Sequence, residues 1–405
     1  MSKLYSGKMI APALTSKFQC SGPGCPDTCC TGWRVDVDRE SYNSLMASKN
    51  PTIKPLQCYL VLQHTHTERA YARLAMNEET QYCAILTPEK SCSIHSELGD
   101  KVLPDVCFTY PRVTHQIGQE MWQSMYLSCC EAARLALTDD DAFSFVESMA
   151  RTRTGTIQVL TAKDNISVAE RADLRLFAIQ LLTAESLPVI NRMILLGWLA
   201  QQVDLQRDSG MPLDAAKIIQ EISAMLDSGA TDKIIDALPR DPEVGASVFA
   251  LLFAQPGSVV AAPRQKDFMK RVAAGLDLQP GLSSSQVGAR FEHGLAYYDQ
   301  APGLLDRILG RSVLSEALVE CFPWGASATA MEHFRRHVIR FGVLRLALAG
   351  LAEANGGIPE QEALIEALYL TQRIYQHRES FARAADKVLN DLNCHDLDRL
   401  FLLLK

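Results

Sequence analysis

Cys20-Ser-Gly-Pro-Gly-Cys25-Pro-Asp-Thr-Cys29-Cys30-Thr-Gly-Trp33 places four thiols within eleven residues rich in glycine and proline. Such a stretch has no helical or strand period of its own. Gly and Pro let the backbone fold back tightly, which brings sulfurs together around one metal ion or cluster. The same texture continues through Cys83, Cys92-Ser-Ile-His95, Cys107-Phe-Thr-Tyr110-Pro111-Arg112 and Leu127-Ser-Cys129-Cys130-Glu131, so ten of the twelve cysteines lie between Cys20 and Cys130. Soft thiolates select zinc, copper(I) or iron–sulfur centres over magnesium or calcium. Spacing leaves zinc and iron–sulfur both open.

Short alternating runs around these thiols predict a small α+β unit. Residues 71–76 and 81–86 read as one hairpin, and 112–117 with 119–127 as a second, turning at Gly118. Residues 91–110 read as a short helix and loops. From about residue 131 the apolar period changes to 3.6, with stripes over 168–182, 187–205, 213–227, 331–354, 360–376 and 380–404. Ser209-Gly210, Gly229, Pro256-Gly257, Pro280-Gly281 and Gly356-Gly357 punctuate them, and Asp139-Asp-Asp-Ala-Phe reads as a helix start favoured by the dipole. The predicted organisation is α+β: a Cys-rich metal-binding domain over 1–135 and an all-α domain over 136–405 with about nine to twelve helices.

The chain has 405 residues, a formal charge of −7 and 47% hydrophobic residues, values of an ordinary soluble protein with ample core. An acidic balance argues against nucleic acid as a partner. The N-terminus carries no apolar run of signal-peptide length, and no stretch reaches the ~20 apolar residues that span a bilayer. The expected compartment is therefore the reducing cytoplasm, where clustered thiols serve as metal ligands rather than bridges. Paired Cys-x-x-Cys motifs of zinc-ribbon type, the Cys-x3-Cys-x2-Cys of radical adenosylmethionine enzymes and a dinucleotide-binding glycine fingerprint are all missing.

The order Cys20-x4-Cys25-x3-Cys29-Cys30-x2-Trp33, Cys83-x8-Cys92 and Cys107-x2-Tyr110-Pro111-Arg112 resembles the Cys-rich zinc- or iron-chelating family. With Ser128-Cys129-x-Glu131-Ala132-Ala133-Arg134 added, the resemblance narrows to the bacterial flagellin lysine-N-methylases, and it extends through Glu320-Cys-Phe-Pro-Trp324 and Ile374-Tyr-Gln-His377. The resemblance implies methyl transfer from S-adenosylmethionine to surface lysines of flagellin, and a [4Fe–4S] cluster on the N-terminal cysteines, with zinc as the alternative metal. Where the family pattern has Ser-Cys-Pro-Glu-Ala, this chain has Cys130 in place of the proline. That places Cys130 outside the ligand set and marks a helix start. Cys58 also falls outside and reads as a packed thiol. The candidates are Cys20, Cys25, Cys29, Cys30, Cys83, Cys92, Cys107 and Cys129, twice the number that one cluster takes.

Methylation needs the neutral amine of a lysine whose free pKa is about 10.4, hence desolvation or a proton acceptor. Tyr110, Tyr126, Glu131 and His95 lie nearest the cysteine elements, and Trp33, Tyr82 and Trp122 could offer aromatic faces to a sulfonium donor. His333 and His337, one helical turn apart but without the glutamate of a metalloprotease motif, read as part of a solvated basic face. Cys321 and Cys394 read as small buried hydrophobes. A non-catalytic metal module with a partner-docking helical domain is the alternative function, and a thiol redox protein a third.

Overall fold

The computed structural model describes residues 4–210, 212–255, 262–279, 283–377 and 379–405. The chain forms two compact units, one of residues 1–159 with 260–266, the other of 160–259 with 267–405. The predicted breakers Pro256-Gly257 and Pro280-Gly281 lie outside the described residues.

The strands are β1 (Leu4–Pro12), β2 (Asp36–Val37), β3 (Leu60–Leu62), β4 (Ala72–Leu74), β5 (Arg112–Ile117), β6 (Glu120–Met125), β7 (Phe145–Arg153) and β8 (Gln158–Leu160). A five-stranded sheet runs β7-β1-β6-β5-β8 and a three-stranded one β2-β4-β3. β5 and β6 form the predicted hairpin, in register from Arg112 opposite Met125 to Ile117 opposite Glu120. Its tight turn needs the left-handed backbone of Gly118, at φ +61°.

Two expectations are corrected here. β4 pairs with β2 and β3 instead of with residues 81–86. Ala72 and Leu74 face the core with Val37 and Leu60. Beyond them the Asn77 side chain accepts from the Glu79 and Thr80 amides, at 3.0 and 2.8 Å, and folds the chain into a local turn. The tip of that hairpin remains: Met76 bridges Cys83, the Asn77 amide donates to Tyr82 O at 2.7 Å and the Ala84 amide to Ala75 O at 3.0 Å. Asp139 starts no helix: it follows the helix Cys130–Thr138 and binds Lys17 at 2.5 Å. The chain then enters β7, which pairs along its whole length with β1. Residues 145–153 carry no helical stripe, so the edge of β1 decides their conformation.

In the helical unit the predicted stripes become the helices Val168–Thr183, Val189–Asp208, Ala215–Asp227, Ala330–Asn355 and Gln361–Tyr375. Ser167 and Glu170 close a capping box on the first of these. The stretch 380–404 divides into Glu379–Asp391 and Leu397–Leu404 around Asn393, whose φ is +51°. Ala330–Asn355 is buried on every face from residue 337 to 352, the mark of a central helix rather than a surface one. Gly342 makes this possible, since a Cβ there would lie 1.9 Å from the Phe249 ring.

Candidate functional site

Local backbone pairings gather the thiols. The Cys83 amide donates to Cys30 O at 2.8 Å, Thr31 bridges Tyr82, and Leu86 bridges Cys92. Cys92 caps the helix Ser93–Leu98. Cys107 rides on the helix Asp105–Thr109, whose first amide donates to Asp38 Oδ2 at 3.0 Å. Cys30, Trp33, Cys92 and Cys107 pack half-buried on a core of Val35, Val37, Leu45, Ile85 and Ile94.

Electrostatic influence separates two groups. Burial raises the Cys107 thiol well above its ordinary value, and the nearby Cys92, Cys83 and Cys29 sulfurs add to it. Cys83 is pushed up to about 11 by burial, with Cys92 and Cys29 adding to the effect and an amide at Ile85 opposing it. Cys92 rises for the same first reason, with Cys29 again contributing. Cys29, Cys83, Cys92 and Cys107 therefore form one set, which Cys29 links to a second by also raising Cys25. In that second set, Cys25 Sγ lies 3.0 Å from Cys130 Sγ. The thiol contact with Cys130, then burial, raises both Cys25 and Cys129. Arg112, its pKa lowered by burial, faces Cys129 and Cys20 and lies 4.9 Å over the Phe18 ring. Crowded, buried thiols of this kind stay protonated at neutral pH until a metal or cluster displaces the protons.

Seven of the eight sequence candidates fall into these sets. Cys30 instead turns its amide to Thr28 Oγ1 at 3.2 Å. Cys130, set aside on sequence, opens the helix Cys130–Thr138 as expected, yet its sulfur sits inside the second set. The adjacent Cys129-Cys130 pair at a helix start was the signal for it. Cys58 is exposed and donates to Pro55 O at 3.2 Å, so it is not a packed thiol: the short 3-10 turn that carries it has no buried face. Cys321 and Cys394 are buried as predicted.

Of the other candidates, Trp33 and Tyr110 accompany the thiols. Their rings lie 5.7 Å apart, Trp33 Nε1 donates to Cys29 O, and Tyr110 Oη is 3.0 Å from Ser128 Oγ. Tyr82 lies under Lys90 at 5.7 Å. The Tyr126 amide donates to Pro111 O at 2.9 Å. Glu131 pairs with Arg134 at 2.7 Å, and His95 is exposed on its helix. Trp122 packs on Phe145 at 5.9 Å and donates to Glu120 at 3.0 Å, a partnership within the sheet.

The helical unit holds a polar centre that the sequence concealed. His333 and His337 are 1% and 0% exposed, which overturns the solvated-face reading. A helix enclosed on all sides presents even its basic positions to other helices. Here His333 Nε2 meets Glu320 Oε2 at 3.1 Å, and Arg340 Nη1 and Nη2 fork onto the same carboxylate at 2.5 and 2.7 Å. Burial opposes ionisation of Glu320, but Arg340 and His333 outweigh it and hold its pKa well below the usual range. Arg340 Nε also faces Glu316 Oε2 at 2.9 Å, where burial prevails and pushes Glu316 up to about 7. A cavity of about 260 Å³ opens beside this centre, lined by Glu320, Arg336, Arg340, Gln376, His377 and Phe381.

Among the described residues, no helix is long and apolar enough to cross a membrane. Comparison with known proteins gives the chain its relatives. It is 30% identical over 137 residues to a lysine-N-methylase of Salmonella typhimurium (strain LT2), which is 34% of each chain. A lysine-N-methylase of Salmonella choleraesuis (strain SC-B67) is 29% identical over the same span. The flagellar biosynthetic protein FliU of Salmonella muenchen is 28% identical over 142 residues, 35% of this chain and 84% of FliU. The chain thus spans about a third of the length of the curated lysine-N-methylases it matches. No solved structure matches. Residues 175–403 match the model of the FliB lysine N-methylase C-terminal domain, more than half of the chain, and the chain belongs to the FliB lysine N-methylase family.

Proposed function

We propose that this chain is a cytoplasmic enzyme that methylates surface lysines of flagellin, taking the methyl group from S-adenosylmethionine and carrying a [4Fe–4S] cluster on Cys29, Cys83, Cys92 and Cys107. Membership of the lysine N-methylase family supports the reaction. The observation that carries the cluster is the backbone pairing that gathers Cys83 and Cys92, together with the raised thiols of Cys83, Cys92 and Cys107, to each of which burial contributes first and Cys29 adds. The donor set fits such a cluster, which takes four Cys thiolates, and the same four fit zinc, the alternative metal. Held by all four thiolates, the cluster would cross-link the four segments and leave no iron position open.

The protein's own groups have two tasks. The first is to hold a sulfonium. Trp33 and Tyr110, beside Cys29, offer aromatic faces whose attraction for a cation is worth about 0.5–2 kcal/mol. The second is to make the lysine nucleophilic. The ammonium must lose its proton, after which the Nζ lone pair bonds the methyl carbon while the carbon–sulfur bond breaks and sulfur keeps the pair. Burial against the apolar flank of the thiol core favours the neutral amine.

The test is transfer of labelled methyl from S-adenosylmethionine to flagellin by anaerobically purified protein. Label in lysine, with broad visible absorbance and acid-labile sulfide, is expected. A fully loaded protein that transfers nothing supports the alternative, an iron–sulfur module that only docks a partner. A colourless preparation with bound zinc removes the cluster from the account.

A further inference from the structure

Each of the two buried imidazoles in the helical unit has one nitrogen without a hydrogen-bond partner, His333 Nδ1 and His337 Nε2. His337 Nδ1 lies 3.0 Å from His333 O, an acceptor, so Nδ1 carries the proton and Nε2 presents a bare lone pair. A histidine whose Nδ1–H is fixed on a backbone carbonyl is the arrangement that orients an Nε2 metal ligand. His333 stands one turn earlier on the same helix, with ring centroids 5.0 Å apart, and Phe322 packs on both rings at 5.1 and 5.2 Å. Ligand atoms of Glu320, His333 and His337 all lie within 4.8 Å of one another.

We infer that Glu320, His333 and His337 form a binding site for one divalent ion of the zinc class, separate from the thiols. Two imidazoles and a carboxylate are a three-ligand set for such an ion and leave one position open. Arg340 does not preclude it. Its fork occupies one lone pair on each Glu320 oxygen, and Gln376 Nε2 donates to Oε1 at 3.1 Å, so the position open to an ion is the one on Oε2 where His333 now donates. An ion there displaces the His333 Nε2–H bond; the proton moves to the unpartnered Nδ1, and the imidazole stays neutral. Arg340 keeps Glu316 as a further counter-charge. The adjoining cavity, lined by Glu320 itself, gives an ion or its open-position ligand a way in. The site's three residues lie within residues 175–403 and belong to the helical unit, whereas the cysteines of the two thiol sets belong to the other, and it stands whether or not the chain methylates lysine.

Cobalt(II) is the probe, because sulfur ligands give it an intense charge-transfer absorption that nitrogen and oxygen ligands do not. Full-length protein is purified anaerobically, freed of loosely held metal with a chelator and titrated with Co²⁺. One equivalent is expected to bind with d–d bands free of thiolate charge transfer, and Zn²⁺ is expected to displace it. His337→Gln should weaken that binding by at least roughly tenfold, while Cys25→Ser leaves it unchanged. Equal affinity in folded His337→Gln, or thiolate absorption on all bound cobalt, overturns the site. If His337→Gln does not fold, X-ray absorption on the cobalt-loaded native protein decides: bound imidazole sustains the proposal and its absence ends it.

Discussion

In the thiol-bearing unit the reactive groups hang from loops and short helices, Cys20 to Cys30 and Asp105–Thr109 among them. In the helical unit Glu320 caps the C-terminus of the helix Leu304–Val319, and His333, His337 and Arg340 stand in the N-terminal half of the helix Ala330–Asn355. The first arrangement costs little regular structure, since the backbone there is free to bend to its sulfurs. The second puts a carboxylate, a guanidinium and two imidazoles where apolar side chains would otherwise pack, so every charge must have a partner at hand. One unit crowds its thiols together, the other pairs its own charged side chains.

Four changes break or sharpen this contrast. Cys107→Ala should have the largest effect: iron and sulfide fall toward zero while far-UV ellipticity, which follows the helices, barely moves. Retained iron would remove Cys107 from the ligand set. Glu320→Ala should do the reverse, leaving Arg340 buried without its principal carboxylate and destabilising the helices by about 3–5 kcal/mol in denaturant unfolding, with iron content intact. A loss under about 1 kcal/mol would contradict the pairing account.

Glu316 gives a pH signature. Its folded pKa lies near 7, above the unfolded value of 4.5, because burial outweighs Arg340. Between these values the folded protein holds a proton that the unfolded chain has released, so stability falls as pH rises from 4.5 to 7. Glu316→Gln should remove up to about 3 kcal/mol of that dependence. An unchanged pH profile would show that Glu316 is ionised throughout. Cys58→Ser is the smallest: an exposed thiol on a short turn should alter neither iron content nor unfolding midpoint. A measurable loss of iron would return Cys58 to the site.

What the sequence made legible follows the same contrast. Cysteine is rare enough that Cys20–Trp33, Cys92 and Cys107 stood out as candidate ligands before any fold was known, and the 3.6 period announced the helices. Their partition into two sets was not legible, because Thr31 with Tyr82 and Leu86 with Cys92 are long-range pairings that no spacing encodes. The contact of Cys130 Sγ with Cys25 Sγ was not legible either, because a helix-start residue reads for its backbone role alone. β7 was missed because its nine residues alternate weakly and owe their extension to β1. The His333–His337 pair looked solvated because basic residues between apolar ones read as a helix's outer face. Only the enclosure of the Ala330–Asn355 helix turns that face inward.

Whether the thiols serve methyl transfer is decided by comparing two proteins. Native protein and Cys107→Ala, both purified anaerobically, are given flagellin and labelled S-adenosylmethionine, and label in lysine is counted. The account predicts label with the native protein and none above background with the variant. Equal incorporation by the two would contradict it.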